Sequence, residues 1–339
     1  MRRFVVVMAT TALAAAPALG NDTMATLGAG GLVFVQTGDV RMVSEELYVG
    51  PDAVRVRYEF RNESAADQTA LVAFPLPDIT GGGDFMVAIP TEDPENIFGF
   101  STLVDGEAVA TELHQYAFAT NIDHSEYLGA LGVPLTPFGP ETIAAIAALD
   151  AETQQELFRR GLVVPMEYDA GEGWVREYLP SWTLRSTYSW EAAFPAGESV
   201  VVEHSYVPSR GGTAGVSFLG EPYEDYDPAA EYREKYCTDE SFLNAVRKTL
   251  PDPAEPYGAP FTESWLSYVW STGANWSGPI GRFHLTVDKG APENLVSFCW
   301  DGEVTKTSPT TFEMEATEWW PPYGRELEIL ILDRFAAGS

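Results

Sequence analysis

From Ala53 to Asn62 the chain reads AVRVRYEFRN, and apolar and polar positions alternate without a break. Val54, Val56, Tyr58 and Phe60 fall on one side, and Arg55, Arg57, Glu59 and Arg61 on the other. A period of two is that of a strand with one face in a core. Comparable runs predict strands at 32–36, 40–48 and 69–77, and the prolines of TALVAFPLP mark the exit from the sheet. Asp105-Gly106, between runs at 98–104 and 107–118, predicts a two-residue hairpin. In WTLRSTYSWEAAF, Trp182, Leu184, Ser186, Tyr188 and Trp190 share a face, and SVVVEHSYVP follows across Pro195-Ala196-Gly197. Five further strands are predicted at 264–270, 281–287, 295–300, 311–316 and 327–332.

The period changes in PETIAAIAALDAETQQELFRRGL. Ile143, Ile146 and Leu149 lie on one helical face, Asp150 is placed to cap a second helix, and Leu157 and Phe158 are expected to pack inward before Gly161 stops it. A short helix is predicted near 240–250. The pattern as a whole predicts a mainly β protein: two antiparallel β-sandwich-like lobes with a small helical hairpin insertion. The expected N-terminal lobe spans 21–208, with the insertion near 124–162. An acidic, tyrosine-rich connection covers 209–239, and a C-terminal β lobe covers 240–335.

Residues 1–20 stand outside this pattern. Met1-Arg2-Arg3, an apolar run from Phe4 to Ala16, and small residues at Ala18 and Gly20 are the parts of a secretory signal peptide, cut after Gly20 to leave Asn21 first. The apolar run is too short for a permanent span, and no later segment reaches the length needed. The expectation is export in soluble form. That changes the reading of Cys237 and Cys299, which lack CxxC spacing and have no neighbouring histidine: in an oxidising compartment they predict one disulfide. The formal net charge is -30, with 50 acidic against 20 basic residues. Such a field argues against nucleic acid and anionic membrane partners. The acids are scattered, which fits solubility better than a role in buffering cations.

The stretches NDTMATLGAGGLVF, VRMVSEELYV, VRVRYEFRNES, LVAFPLPDI and NWSGPIGRFHLTVDKGAPENLVSFCWDG resemble an exported bacterial family catalogued as domain of unknown function 4424. The resemblance covers nearly the whole chain after residue 20. It implies a periplasmic setting and supplies no catalytic residues.

Motifs of catalysis and cofactor binding are absent: there is no GxSxG elbow, HExxH, P-loop or strand-to-helix GxGxxG. No cofactor is predicted. Glu112 and His114, with Asp123 and His124 just beyond, are the local residue types that could hold zinc. His204 and His284 sit mid-strand among apolar neighbours and read as core histidines. EPYEDYDPAAEYREKY interleaves acids with Tyr223, Tyr226, Tyr232 and Tyr236; it offers oxygen ligands for calcium but lacks the EF-hand spacing. In EWWPPYG, Trp319, Trp320 and Tyr323 either close the end of a sandwich or form an aromatic docking platform. The row Arg55, Arg57 and Arg61 is either a solvated face paired with acids, Glu45 and Glu46 being the nearest in sequence, or a docking patch for an anion or partner. Together these residues predict a non-enzymatic binding protein for an envelope protein or glycan. The alternatives are an envelope glycan hydrolase using a carboxylate pair from distant strands, and a cation-binding protein.

Overall fold

The computed structural model describes residues 21–335 apart from 29–30, 83–85, 89, 92, 94–95, 170, 172, 223–225 and 253–254. The expected signal peptide and part of the acidic connection therefore lie outside the described residues. The chain is mainly β, as the periodicity predicts, with antiparallel sheets and a small helical insertion.

An eight-stranded sheet lies at the centre. Its strands run in the order Thr305–Lys306, Thr311–Trp319, Ile280–Asp288, Val40–Val49, Val54–Asn62, Ser199–Tyr206, Ser101–Val104, Glu107–Ala108. Every pairing in it is antiparallel except one: Val40–Val49 runs parallel to Ile280–Asp288. Through that pair the two expected lobes share a sheet. The junction depends on Gly281, where a Cβ would stand 2.6 Å from the Val43 carbonyl oxygen. There the register of Val40–Val49 against Val54–Asn62 also shifts, between Met42 and Ser44. Such a bulge re-aims the residues that follow it.

A seven-stranded sheet, centred on Thr183–Phe194 and Gln68–Pro75, and a five-stranded sheet, centred on Phe261–Tyr268 and Leu327–Arg334, complete the frame. One continuous core draws on all three: Val54, Val56, Tyr58 and Phe60 from the first, Phe74, Tyr188 and Trp190 from the second, Tyr268, Ile329 and Ile331 from the third. Each such side chain contributes about 1.5–3 kcal/mol when fully withdrawn from water. The Asp105-Gly106 hairpin forms as predicted, both residues having positive φ (49° and 82°), the backbone of a type I′ turn.

The insertion holds helices Ser125–Ala130, Pro140–Ala147 and Ala151–Arg159. Asp150 caps the last by accepting from the Thr153 amide at 2.9 Å. Ile146 and Leu157 pack with Trp182 in a small core of their own. Phe158, expected to point inward, is 44% exposed, because Leu157 takes the buried position of that turn. Beyond the insertion, Val163–Asp169 and Trp174–Pro180 form a separate hairpin that the pattern reading misses; Trp174 in it is 78% exposed. Segment 209–239 is more structured than a connection. It holds strand Arg210–Thr213 and helix Pro228–Tyr236, the helix capped by Asp227 and burying Tyr232 and Tyr236 in a second core.

Cys237 and Cys299 are joined in a disulfide with a Cα–Cα distance of 5.1 Å. Among the described residues no helix is long and apolar enough to cross a membrane.

Candidate functional site

The outer face of the central sheet carries a groove of about 420 Å³, and the arginine strand runs through it. Strand register builds its floor in two rows. In one, Thr286, Tyr48, Arg55, Ser205 and Ser101 lie side by side on neighbouring strands. In the other, His284, Glu46, Arg57, Glu203 and Leu103 do the same. Because side chains alternate across a strand, the inward partners Val54, Val56 and Tyr58 fix which residues face the groove.

Arg55 lies over the Tyr48 ring, its guanidinium carbon 4.0 Å from the ring centroid. Tyr48 in turn donates its hydroxyl hydrogen to Asp288 at 2.9 Å. Burial, with the Asp288 carboxylate beside it, raises the Tyr48 pKa, so the ring stays a neutral platform for the cation. Among the described residues no carboxylate lies within ion-pair distance of Arg55. Arg57 is placed between two glutamates, yet Glu46 binds Arg282 at 3.0 Å and Glu203 reaches Arg57 only at 3.9 Å. His284 is 3.6 Å from Glu313. The groove thus offers one stacked and one weakly paired guanidinium, flanked by the hydroxyls of Ser101, Ser205 and Thr286 and walled by Leu103. Such a surface can hold a carboxylate or phosphate bidentately.

The other sequence-predicted residues do not join this site. Arg61 is exposed further along the same strand, opposite Ser199 and Arg41. Glu45, expected to face the arginines with Glu46, is instead wholly buried on the opposite side of the sheet. Trp319 stacks on Phe283 with ring centroids 4.2 Å apart, whereas Trp320 and Tyr323 are exposed, Tyr323 by 94%. The three aromatics therefore divide between core and surface. Of the metal candidates, His114 bonds Ser189 at 2.8 Å and lies 3.9 Å from Glu112, while Asp123 accepts from the Ser125 amide at 2.9 Å. His124 is buried, and burial with the nearby Arg160 cation pushes its pKa down. Among the described residues no three His, Cys, Asp or Glu side chains are placed to share a metal ion. His204 is a core histidine, as expected, whereas His284 is half-buried in the groove. The groove residues Tyr48, Ser101, Ser205 and Thr286 carry no signal in the sequence, and His284 reads there as a core residue. Only the strand order brings them beside Arg55 and Arg57.

No curated relative matches the chain. Among solved structures, the chain is similar to a candidate nutrient-binding protein from Legionella pneumophila, with a TM-score of 0.46 and 13% identity. The alignment covers 92% of this chain and 70% of that one, and a likeness at this level carries no argument about ligand. A family profile matches residues 20–330, the span that holds the three large sheets up to the middle of strand Leu327–Arg334, with the disulfide and the groove; the chain belongs to the family described as domain of unknown function DUF4424.

Proposed function

We propose that the protein is an exported, non-enzymatic binding protein of the bacterial envelope, and that the groove on the central sheet receives an acidic group of its partner, an envelope protein or glycan. The observation that carries this reading is Arg55, held on Tyr48 without a carboxylate partner among the described residues, in a chain with an excess of acids. Where carboxylates outnumber cations so heavily, a guanidinium left without one inside a groove marks a place kept for another molecule's anion. Rigid strands on both sides hold the two arginines in fixed register, which is the preorganisation that recognition requires.

The test replaces Arg55 and Arg57 together by glutamine. Both side chains face solvent and their pairing is weak, so the expected loss of stability is about 1 kcal/mol or less. Crosslinked capture from a periplasmic extract is expected to fall steeply, and raising salt is expected to weaken wild-type capture in the same way. Undiminished capture by a normally folded double variant overturns the assignment.

A further inference from the structure

Residues 21–23 lie in the middle of the protein. Asn21, Asp22 and Thr23 are completely buried, and the core is built around them. The Asn21 backbone N–H donates to the Thr272 hydroxyl. Its side-chain amide nitrogen donates to Glu45 at 3.0 Å, and its side-chain oxygen accepts from Tyr268 at 3.0 Å and from Tyr58. The Trp276 indole N–H donates to the Asp22 carbonyl. The packing leaves no slack: a Cβ on Gly273 would stand 2.8 Å from the Asn21 amide nitrogen.

The charges at this centre do not balance. Asp22 and Glu45 place two carboxylates in a region without water access. His204 answers one of them, its Nε2 2.9 Å from Asp22 and its Nδ1 3.1 Å from the Thr102 hydroxyl. Among the described residues no lysine, arginine or histidine lies within ion-pair distance of Glu45. A buried carboxylate without a cation is strongly unfavourable unless it takes up a proton. Burial accordingly raises the Glu45 pKa to about 8, and neighbouring Asp22 adds to the rise.

We infer that the missing cation is the protein's own amino terminus: an endopeptidase cuts between Gly20 and Asn21, and the new α-ammonium of Asn21 docks in the core as the partner of Glu45. In that hydrolysis water adds across the peptide bond. Gly20 leaves with the carboxylate, and the nitrogen of Asn21 takes up protons to become an ammonium. An ordinary α-amino group has a pKa of about 7.7–8.0, and a neighbouring carboxylate holds it charged at neutral pH. Glu45 then has a partner of its own, as Asp22 has His204. The nitrogen that gains the charge is already in the core on the Thr272 hydroxyl, and the side chain of the same residue is bonded to Glu45. Once residues 21–23 are buried a protease has no access to the bond before them, so the cut precedes their docking. Strand Thr23–Gly28, which pairs with Gln68–Pro75, then follows the terminus into place.

The inference is independent of the arginine groove, and its test does not use that surface. Two chains are compared, one beginning at Asn21 and one with Gly-Ser added before it, each as wild type and as Glu45→Gln. The Asn21 form is expected to melt about 5 °C or more above the extended form, and the difference is expected to vanish in the Glu45→Gln pair. The α-amine of the native Asn21 form is expected to react with an amine-selective reagent at least ~10-fold more slowly than in urea. This second readout stands even where Glu45→Gln does not fold. Mass measurement of the chain recovered after export should show Asn21 first. Equal melting of the two wild-type forms, native labelling as fast as in urea, or a different mature terminus would each overturn the inference.

Discussion

The disulfide allows a stability prediction worked from geometry alone. Cys237 follows helix Pro228–Tyr236 and Cys299 follows strand Leu295–Phe298, so the bridge closes a loop with a sequence separation of 62. In the chain-entropy account, closing a loop of that length removes about 14 cal/mol/K from the unfolded chain, or about 4 kcal/mol at 25 °C. Of the folded contacts around it, the Arg325 guanidinium donates to Cys237 Sγ at 3.2 Å in an exposed position, and the buried ones do not use the sulfurs. Tyr236 is held by the second core, and the Ser297 hydroxyl donates to its carbonyl at 2.9 Å. Replacing both cysteines by alanine should therefore leave the fold intact and cost about 4 kcal/mol. Cys237 has a left-handed backbone (φ 55°); alanine keeps the same Cβ cost, so the comparison isolates the bridge. Urea unfolding of the oxidised wild type and the double variant reads the difference. The variant should also show a larger m-value, because its unfolded chain is less compact. A loss below about 1 kcal/mol at unchanged m would refute the reasoning, since the bridge would then constrain nothing that folding must order.

Gly281→Ala should destabilise by about 1–3 kcal/mol or more, because the Cβ meets the backbone oxygen of Val43 and neither strand of the parallel pair can give way; an unchanged melting temperature would contradict this. Glu45 governs a pH dependence of known sign. Its folded pKa is raised from 4.5 to about 8, so a chain that keeps residues before Asn21 is most stable below about pH 4.5 with respect to this group, and that contribution is lost as pH rises through about 8. Thermal melts between pH 5 and pH 8 should show the decline in the extended chain, a flatter profile in Glu45→Gln, and a flatter one again when the chain begins at Asn21.

Local chemistry made much of this protein legible in its residues. The alternation of Val54 to Arg61 names both faces of a strand, Asp105-Gly106 names its turn, and Asp150 names a helix start, because each depends on neighbours a few positions away. The pairing of two lone cysteines is legible for a similar reason, since exclusion of other partners leaves one bridge. Hairpin Val163–Pro180 escaped notice because Pro165 and a mixed, exposed composition blur its period. Glu45 and Glu46 were indistinguishable as adjacent acids: a bulge at Met42 to Ser44 and the parallel strand Ile280–Asp288 send one into the core and the other to the groove. Nor does anything in NDT foretell three buried polar residues at the centre of the fold. Their hydrogen-bond partners, Thr272, Tyr58, Tyr268, Trp276, His204 and Asn275, come from distant parts of the chain. Composition and period determine elements, because those depend on local torsions and on which face meets water. Sites made of side chains from non-adjacent strands exist only once the sheet order is set, and that order is decided by the packing of whole faces.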